Sequence, residues 1–528
     1  MAATVSERRG AEIAAIVAVV AIVTGALLRF HGAATDPLWL DEAYSAFAGD
    51  HPFGFIWRMV PQYETHPPVY YSMVRLWGLL TGHSLIARRM LGLLCGLATI
   101  AVAGMVAGRL GRQTRMSARE RGWLIAAMLI LVSLQPLLIA MSRQVRPYPV
   151  MILVYGLSLL PLLRLVKDDA MRRPLDRLSI IGFFVCEALM LWLHSLGPLF
   201  GLTMTLALVV AVLGPNLKRG DWAWLVGGQV AVGLLYLPAF LIMLHQARTW
   251  VQTGWVVFDA PAVPITVAQI WLNWNLWACL IGLGLAAAGG ALLMRRVGGV
   301  RVLGVLLLMA VLPVALSILL SATVSPVFLA RTLSPTAVPA LLLVSLGLAW
   351  PGRGAWVALA GFVLVVGATS AIDREEARRG PPQDWYGAIE WLEPRMAPGD
   401  VVWAYPNEGA LPLAYALQDQ RRALPWRQVP APMPALVVPG FHPTGSMGAV
   451  SLYPAQIDGL MRTSEATRPP TIWLLRLSPE LYDKGDVMLH ALERERVEVG
   501  TFRSRQIDLI GLRRLDLPPV AAAQQTQP

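Results

Sequence analysis

Residues 11–47 read AEIAAIVAVVAIVTGALLRFHGAATDPLWLDEAYSAF, and the two halves of this stretch differ in kind. From Ala11 to Arg29 the chain is almost unbrokenly apolar, over the roughly 20 residues a helix needs to cross a bilayer. From Phe30 to Phe47 it turns polar and carries two adjacent carboxylates, Asp41 and Glu42. Glu7-Arg8-Arg9 precedes the apolar run and no small-residue cleavage site follows it, so it reads as a retained first span and not a signal peptide. Similar runs recur near 85–108, 122–141, 147–166, 178–194, 196–214, 222–244, 266–294, 302–322, 333–350 and 355–372. That makes about eleven spans, the fifth and sixth nearly continuous through Trp192-Leu193-His194-Ser195.

Composition points the same way. The 528 residues are 56% hydrophobic and 15% charged, with a mean hydropathy of +0.55. Soluble domains carry about 25% charged residues, and so large an apolar surplus cannot hide in one globular core. Disorder and a secreted disulfide scaffold are excluded by the same numbers, leaving a polytopic α-helical membrane protein. Cys95, Cys186 and Cys279 all lie in apolar runs, match no metal-binding spacing and read as small buried hydrophobes.

The net charge is +11, and the sequence shows no RNA- or DNA-binding motif, so nucleic acid is not an expected partner. With the amino terminus inside, inside loops hold Arg109, Arg112, Arg115, Arg119 and Arg121, then Lys167, Arg172, Arg173 and Arg177. Lys218-Arg219, Arg295-Arg296, Arg301 and Arg353 follow, while the outside loops at 245–265 and 323–332 hold chiefly Arg248 and Arg331. This bias fixes the orientation, and an odd number of spans puts the carboxyl terminus outside.

Two outside segments follow. In the first loop, 31–84, apolar residues at 39, 40, 43, 44 and 47 give one helix face suited to the membrane interface. A second interfacial helix is expected over Val69–Leu80, with Tyr70, Tyr71 and Trp77 at headgroup level. The rest of 1–372 forms the transmembrane domain. Residues 373–515 read as a small extracytoplasmic α/β domain, with strands at Asp400–Tyr405, Thr471–Leu477, Val497–Phe502 and Ile507–Leu512. Helices are expected around 384–393, 409–418 and 486–495, and 516–528 is an Ala/Gln/Pro tail of disordered composition. No internal repeat supports an inverted-repeat transporter.

Four groups of residues can carry chemistry. A carboxylate of the Asp41-Glu42 pair at a bilayer surface can take a proton from a hydroxyl nucleophile, its neighbour supporting it; acidic residues in a first helical turn also serve capping and the dipole. Glu64-Thr65-His66-Pro67-Pro68 leaves His66 at a helix amino end, where a protonated imidazole would add to anion binding; a stiff turn with a solvated His is the plainer reading. Arg88-Arg89, Arg143, Arg146 and Arg331 run against the positive-inside trend, and guanidinium forks suit a lipid phosphate; singly, each could be snorkelling to headgroups. Glu187 and His194, seven residues apart in the fifth span, are a transport or catalytic pair or an internal structural one.

The order of these motifs resembles the multispanning glycosyltransferases of the GT-C fold. It is most similar to the bacterial branch of the dolichyl-phosphate-mannose protein mannosyltransferase family, which includes the lipid A aminoarabinose transferase. The resemblance is carried by Asp41-Glu42 after a first span and by His66-Pro67-Pro68-Val69-Tyr70-Tyr71 before an interfacial helix. It continues through Gly82–Arg89, Arg146-Pro147-Tyr148, Leu191–His194, Pro326–Arg331, Gln383–Ile389 and Pro398–Val402. It implies transfer of a sugar from a polyprenyl-monophosphate carrier to an acceptor on the outer face of a bacterial cytoplasmic membrane, facing the periplasm or exterior. Asp41 would be the base and Glu42 its neighbour in the motif. Tyr44, Glu64, His66, Arg89, Arg146, Tyr148, His194 and Arg331 would hold the carrier phosphate. No cofactor or metal is expected, with a divalent cation left open.

The chain departs from the aminoarabinose enzymes at Ala43-Tyr44-Ser45, where they have a basic residue, and at His66-Pro67, where they have Lys-Pro. Relatives often have an acidic residue near Gln144. The donor sugar therefore stays open, as does the acceptor, whether glycolipid, polysaccharide or protein. A transporter or flippase of a lipid-linked sugar fits the outside arginines and the Glu187–His194 pair, but leaves Asp-Glu and His-Pro-Pro unexplained. A non-catalytic polyprenyl-phosphate-binding protein is the third reading.

Overall fold

The computed structural model describes residues 5–64, 66–166, 175–212, 217–253, 256–272, 276–349, 381–429, 454–483 and 485–518. The expected span over 355–372 and the domain boundary at 373 lie outside these, as does the tail beyond 518. Six described helices are long and apolar enough to cross a membrane. They are α6 (Leu85–Gln113), α9 (Tyr148–Leu165), most of α12 (Arg219–Thr253), most of α14 (Leu276–Met294), α15 (Gly299–Thr323) and the run Ala330–Leu348, which joins α16 (Ala330–Leu333) to α17 (Ala337–Leu348). A seventh span results if α7 (Ala118–Leu134) and α8 (Pro136–Ser142), bent by 59°, count as one. Of the other expected runs, α1 (Val5–Phe30) has 26 residues, and α10 (Arg177–Leu193) and α11 (Gly197–Val212) have 17 and 16. The run expected over 266–294 is divided between α13 (Val263–Trp271) and α14. The described residues thus hold six or seven helices of spanning length, and the expected eleven are not all met among them.

Local chemistry sets these ends. Pro136 cannot continue α7, and Gln135 turns the chain by accepting from Leu138 N at 2.6 Å while donating to the carbonyls of Gln269 and Ile270. The carbonyls this break leaves at Val132 and Ser133 are taken by the buried guanidinium of Arg29, at 3.1 and 2.6 Å, so α1 is fastened to the bend. The expected near-continuity through 192–195 is broken at His194, which is extended and ends α10.

In the first loop lie α2 (Leu40–Asp50), α3 (Phe53–Arg58), α4 (Val60–Tyr63) and α5 (Pro68–Thr81). The structure corrects the interfacial reading of α2. Seven of its residues from Glu42 to Gly49 are buried, because α5 and the C-terminal domain together cover the helix that was expected to lie against lipid. On α5, Tyr70 and Tyr71 are buried in protein, while Leu76, Leu79 and Leu80 face outward.

The C-terminal domain is a sheet of order β2-β1-β3-β5-β4, comprising β1 (Val401–Tyr405), β2 (Trp426–Gln428), β3 (Thr471–Leu477), β4 (Arg496–Arg503) and β5 (Ile507–Arg514). β2, β1 and β3 are parallel and the remaining pairs antiparallel. Alternation along β1 sends Val402 and Ala404 into one core with α18 (Trp385–Leu392), and Trp403 and Tyr405 into the other. Every residue of the central strand β3 is buried. Gly399, at φ +90°, makes the tight entry to β1, and Asp400 then accepts from Thr471 N and Trp473 Nε1.

This domain grips α2. Trp39, the N-cap of α2, provides no side-chain acceptor; the Leu40 N–H donates instead to Gln383 Oε1 at 2.9 Å, from 343 residues away. At the other end of α2, Tyr415 on α19 (Ala410–Asp419) donates to Asp50 at 2.7 Å, and the Arg88 guanidinium stacks on the Tyr415 ring while forking onto Asp50. Gln383→Ala should therefore lower the stability of the detergent-purified protein by about 1 kcal/mol, as loss of a helix cap does. Thermal unfolding reads this as a fall in Tm of a few degrees, which Gln383→Glu should largely restore.

Candidate active site

Asp41 and Glu42 are sequence neighbours with opposite surroundings. Glu42 is 1% exposed, pairs with Arg89 through two contacts of 3.2 and 2.7 Å, and accepts from Val145 N at 2.9 Å. The remaining Arg89 donors go to the carbonyls of Gly32, Ala33, Asp36 and Pro37. Every N–H of Arg89 is thus engaged inside the protein. Arg89, expected on the carrier phosphate, and Glu42 instead tie the first loop to α6.

The Asp41 side chain stays a quarter exposed and lies between two guanidiniums, 3.3 Å from Arg331 and 3.9 Å from Arg146. Arg331, in α16, is 23% exposed at its side chain and lies 5.5 Å over the Trp39 ring, so it borders the open side. Arg146, just before α9, is buried. It donates to Asp41 O at 3.0 Å, Ser45 Oγ at 3.3 Å, Glu64 Oε1 at 3.2 Å and His66 Nε2 at 2.9 Å. Burial works against its charge, but Asp41 and Glu64 outweigh that and hold it well above its ordinary range. Burial lifts Glu64 above the usual carboxylate range; Asp41 adds to this and Arg146 opposes it.

The expected protonated His66 is not what this geometry allows. A guanidinium only donates, so His66 Nε2 must accept and the ring is neutral. Burial first, then His194, Arg146 and Arg331, holds His66 well below its ordinary value. The His194 ring lies 4.1 Å from His66 and 5.8 Å from Tyr148. His194 Nδ1 accepts from Leu196 N at 3.0 Å, which leaves the proton on a buried Nε2 that meets no acceptor among the described residues. The turn at 61–66 is held by Gln246, which donates to the carbonyls of Pro61 and Glu64.

Asp41, Arg146, Arg331, Glu64, His66, His194 and Tyr148 are thus brought together. Glu187 is engaged elsewhere, accepting from Thr205 at 2.7 Å and Gln229 at 3.2 Å, so the expected pairing with His194 is not made. Tyr44 points away from the guanidiniums and donates to Glu408 of the C-terminal domain at 2.9 Å. Sequence reading missed Glu408. The available signal was its place in the turn after a predicted strand, since sites in α/β sheets gather at the carboxyl ends of parallel strands. Among the described residues no group of three or more His, Cys, Asp or Glu could hold a metal ion.

Beside the site, an apolar groove of about 790 Å³ runs between α5, α10 and α12, lined among others by Val69, Phe184, Leu189, Trp192, Trp224 and Leu235. Its Val69 end follows directly on His66-Pro67-Pro68.

The sequence matches no protein-family model and no curated protein. The structure is similar to that of ArnT from Cupriavidus metallidurans in the apo state, with a TM-score of 0.55 at 14% identity, covering 93% of this chain and 97% of that one. ArnT bound to undecaprenyl phosphate gives 0.53 at the same identity and coverage. The Archaeoglobus fulgidus oligosaccharyltransferase tethered with an acceptor peptide gives 0.51 at 11% identity, covering 95% of this chain and 74% of that one. These likenesses establish the GT-C fold of a multi-pass membrane protein.

The two arginines should separate by stability alone. Arg89→Ala leaves the buried Glu42 carboxyl without its guanidinium partner and should cost about 3–5 kcal/mol, seen as loss of monodisperse protein. Arg331→Ala, at a partly open pair, should cost about 1 kcal/mol or less.

Proposed function

We propose that the chain is a membrane glycosyltransferase that moves a hexosyl or pentosyl group from a polyprenyl-monophosphate carrier to an acceptor on the extracytoplasmic face. The observation that carries this reading is the partly open Asp41 carboxylate set between Arg331 and Arg146. A base beside two fixed cations is what the reaction requires. The acceptor hydroxyl attacks the anomeric carbon, its proton passes to Asp41, and the carbon–oxygen bond to the phosphate breaks with its electron pair leaving on the phosphate. Guanidiniums placed before the reaction stabilise that developing charge. Attack opposite the phosphate inverts the anomeric centre.

The arginines have a double part in this scheme. Arg331 pairs with Asp41 at the open edge, and a donor phosphate can take the place of that carboxylate on the guanidinium, which leaves Asp41 free for the acceptor hydroxyl. Arg146, locked by Glu64 and His66, supplies fixed charge, and Tyr148 with the Nε2–H of His194 borders the same space. The groove, which begins at Val69 directly after Pro67 and Pro68, is apolar along its length, as a prenyl chain needs. The ArnT structure of the same fold binds undecaprenyl phosphate, which supports a carrier of this class. With Glu187 and His194 held apart by separate partners, a transport pair has less to rest on.

Mass spectrometry of envelope glycoconjugates and polyprenyl-phosphate sugars tests this in a deletion strain complemented with the wild type or Asp41→Asn. One sugar decoration should be lost with the variant while its loaded carrier accumulates; normal decoration would remove Asp41 as the base. In purified protein, Arg331→Ala should weaken binding of polyprenyl monophosphate about 10- to 100-fold, the worth of a charge-assisted contact. Unchanged affinity would return Arg331 to headgroup snorkelling.

A further inference from the structure

One buried acid next to the site is not used by the reaction above. Glu408 lies in the turn after β1, is 6% exposed, and accepts the Tyr44 hydroxyl at 2.9 Å. Tyr44 is one turn beyond Asp41 on α2. The phenol of Tyr482, from the segment after β3, bonds to the same carboxyl. The charged and titratable groups that act most strongly on Glu408 are Tyr44 and Asp41 on α2, Glu64 before α5, and Tyr482 on its own domain. None of these supplies a cation.

The same domain holds α2 at both ends, through Gln383 on the Leu40 N–H and Tyr415 on Asp50. The Tyr44–Glu408 contact is the middle of three fastenings along the helix that carries Asp41.

We propose that Glu408 is a positioning residue for Asp41, a carboxylic acid supplied by the C-terminal domain that fixes the centre of α2 only while it keeps its proton. The assignment rests on the reading of Asp41 as the base for its catalytic meaning, whereas the proton-dependent grip on α2 does not. Burial, with Asp41 and Glu64 nearby, pushes Glu408 up to about 8, against the two phenol contacts that favour its charged form. Burial and Glu408 hold the Tyr44 phenol well above its ordinary value, so it remains a donor.

An acid whose value is higher docked than free takes up a proton on docking. Its contribution is complete below the ordinary 4.5, falls about tenfold in docking equilibrium per pH unit above that, and is gone beyond about 8. There a docked carboxylate would face Asp41 and Glu64.

Hydrogen exchange of the peptide spanning 40–50, in the full chain in lipid nanodiscs, reads this directly. After correction for intrinsic exchange, wild-type protection should fall at least about tenfold between about pH 6 and about pH 9.5. Glu408→Gln, which cannot ionise, should show no such fall. Tyr44→Phe, which removes a donor that favours the carboxylate, should move the midpoint to higher pH. Unchanged wild-type protection, the same fall in Glu408→Gln, or an unmoved Tyr44→Phe midpoint would each overturn the proposal. Sugar transfer by Asp41→Asn is scored separately: if it persists, the functional reading fails while the exchange result stands on its own.

Discussion

The buried guanidinium of Arg146 is the interaction on which the rest of the site depends. A charge out of water must be surrounded by acceptors, and here these come from separate segments: Asp41 and Ser45 on α2, and Glu64 and His66 on the turn before α5. Arg146 itself stands at the start of α9. Satisfying one side chain therefore draws two parts of the first loop onto a helix more than 80 residues away. His66 pays for its place by staying neutral, since it must offer a lone pair to the guanidinium.

Two adjacent carboxylates then serve different ends because burial differs on the two sides of α2. Glu42 is closed in with Arg89 and loop carbonyls and acts as a fastening. Asp41 turns to an edge where Arg331 is partly open, so its partner can be exchanged for another anion. The proposed transfer assigns the base to Asp41 and not to Glu42 because the Asp41 ion pair is the longer and more exposed of the two.

Much of the fold was legible in the sequence. The apolar runs locate the described helices, and the short β-type runs at 400–405, 471–477 and 507–512 match strands β1, β3 and β5 nearly residue for residue. β2 escaped because its three residues, Trp426, Arg427 and Gln428, are too few to show a period. The face of α2 was legible but not its partner. Apolar spacing at 39, 40, 43, 44 and 47 cannot distinguish lipid from a domain 350 residues downstream. Within the site, Arg146 and Arg331 could be singled out as charges against the topological trend, and Asp41 as one of an adjacent acidic pair. The division between Arg89 and Arg331 could not, since it depends on which carbonyls the folded loop presents. Glu408 was hidden by distance along the chain, although its turn was not.

A structure with polyprenyl monophosphate bound decides whether Arg331 exchanges Asp41 for phosphate. Phosphate oxygens are expected within hydrogen-bond distance of the Arg331 guanidinium, with the Asp41–Arg331 pair opened and the prenyl chain in the groove between α5, α10 and α12. A phosphate seated away from Arg331, with Asp41 still paired to it, would rule out Arg331 as the carrier's ligand.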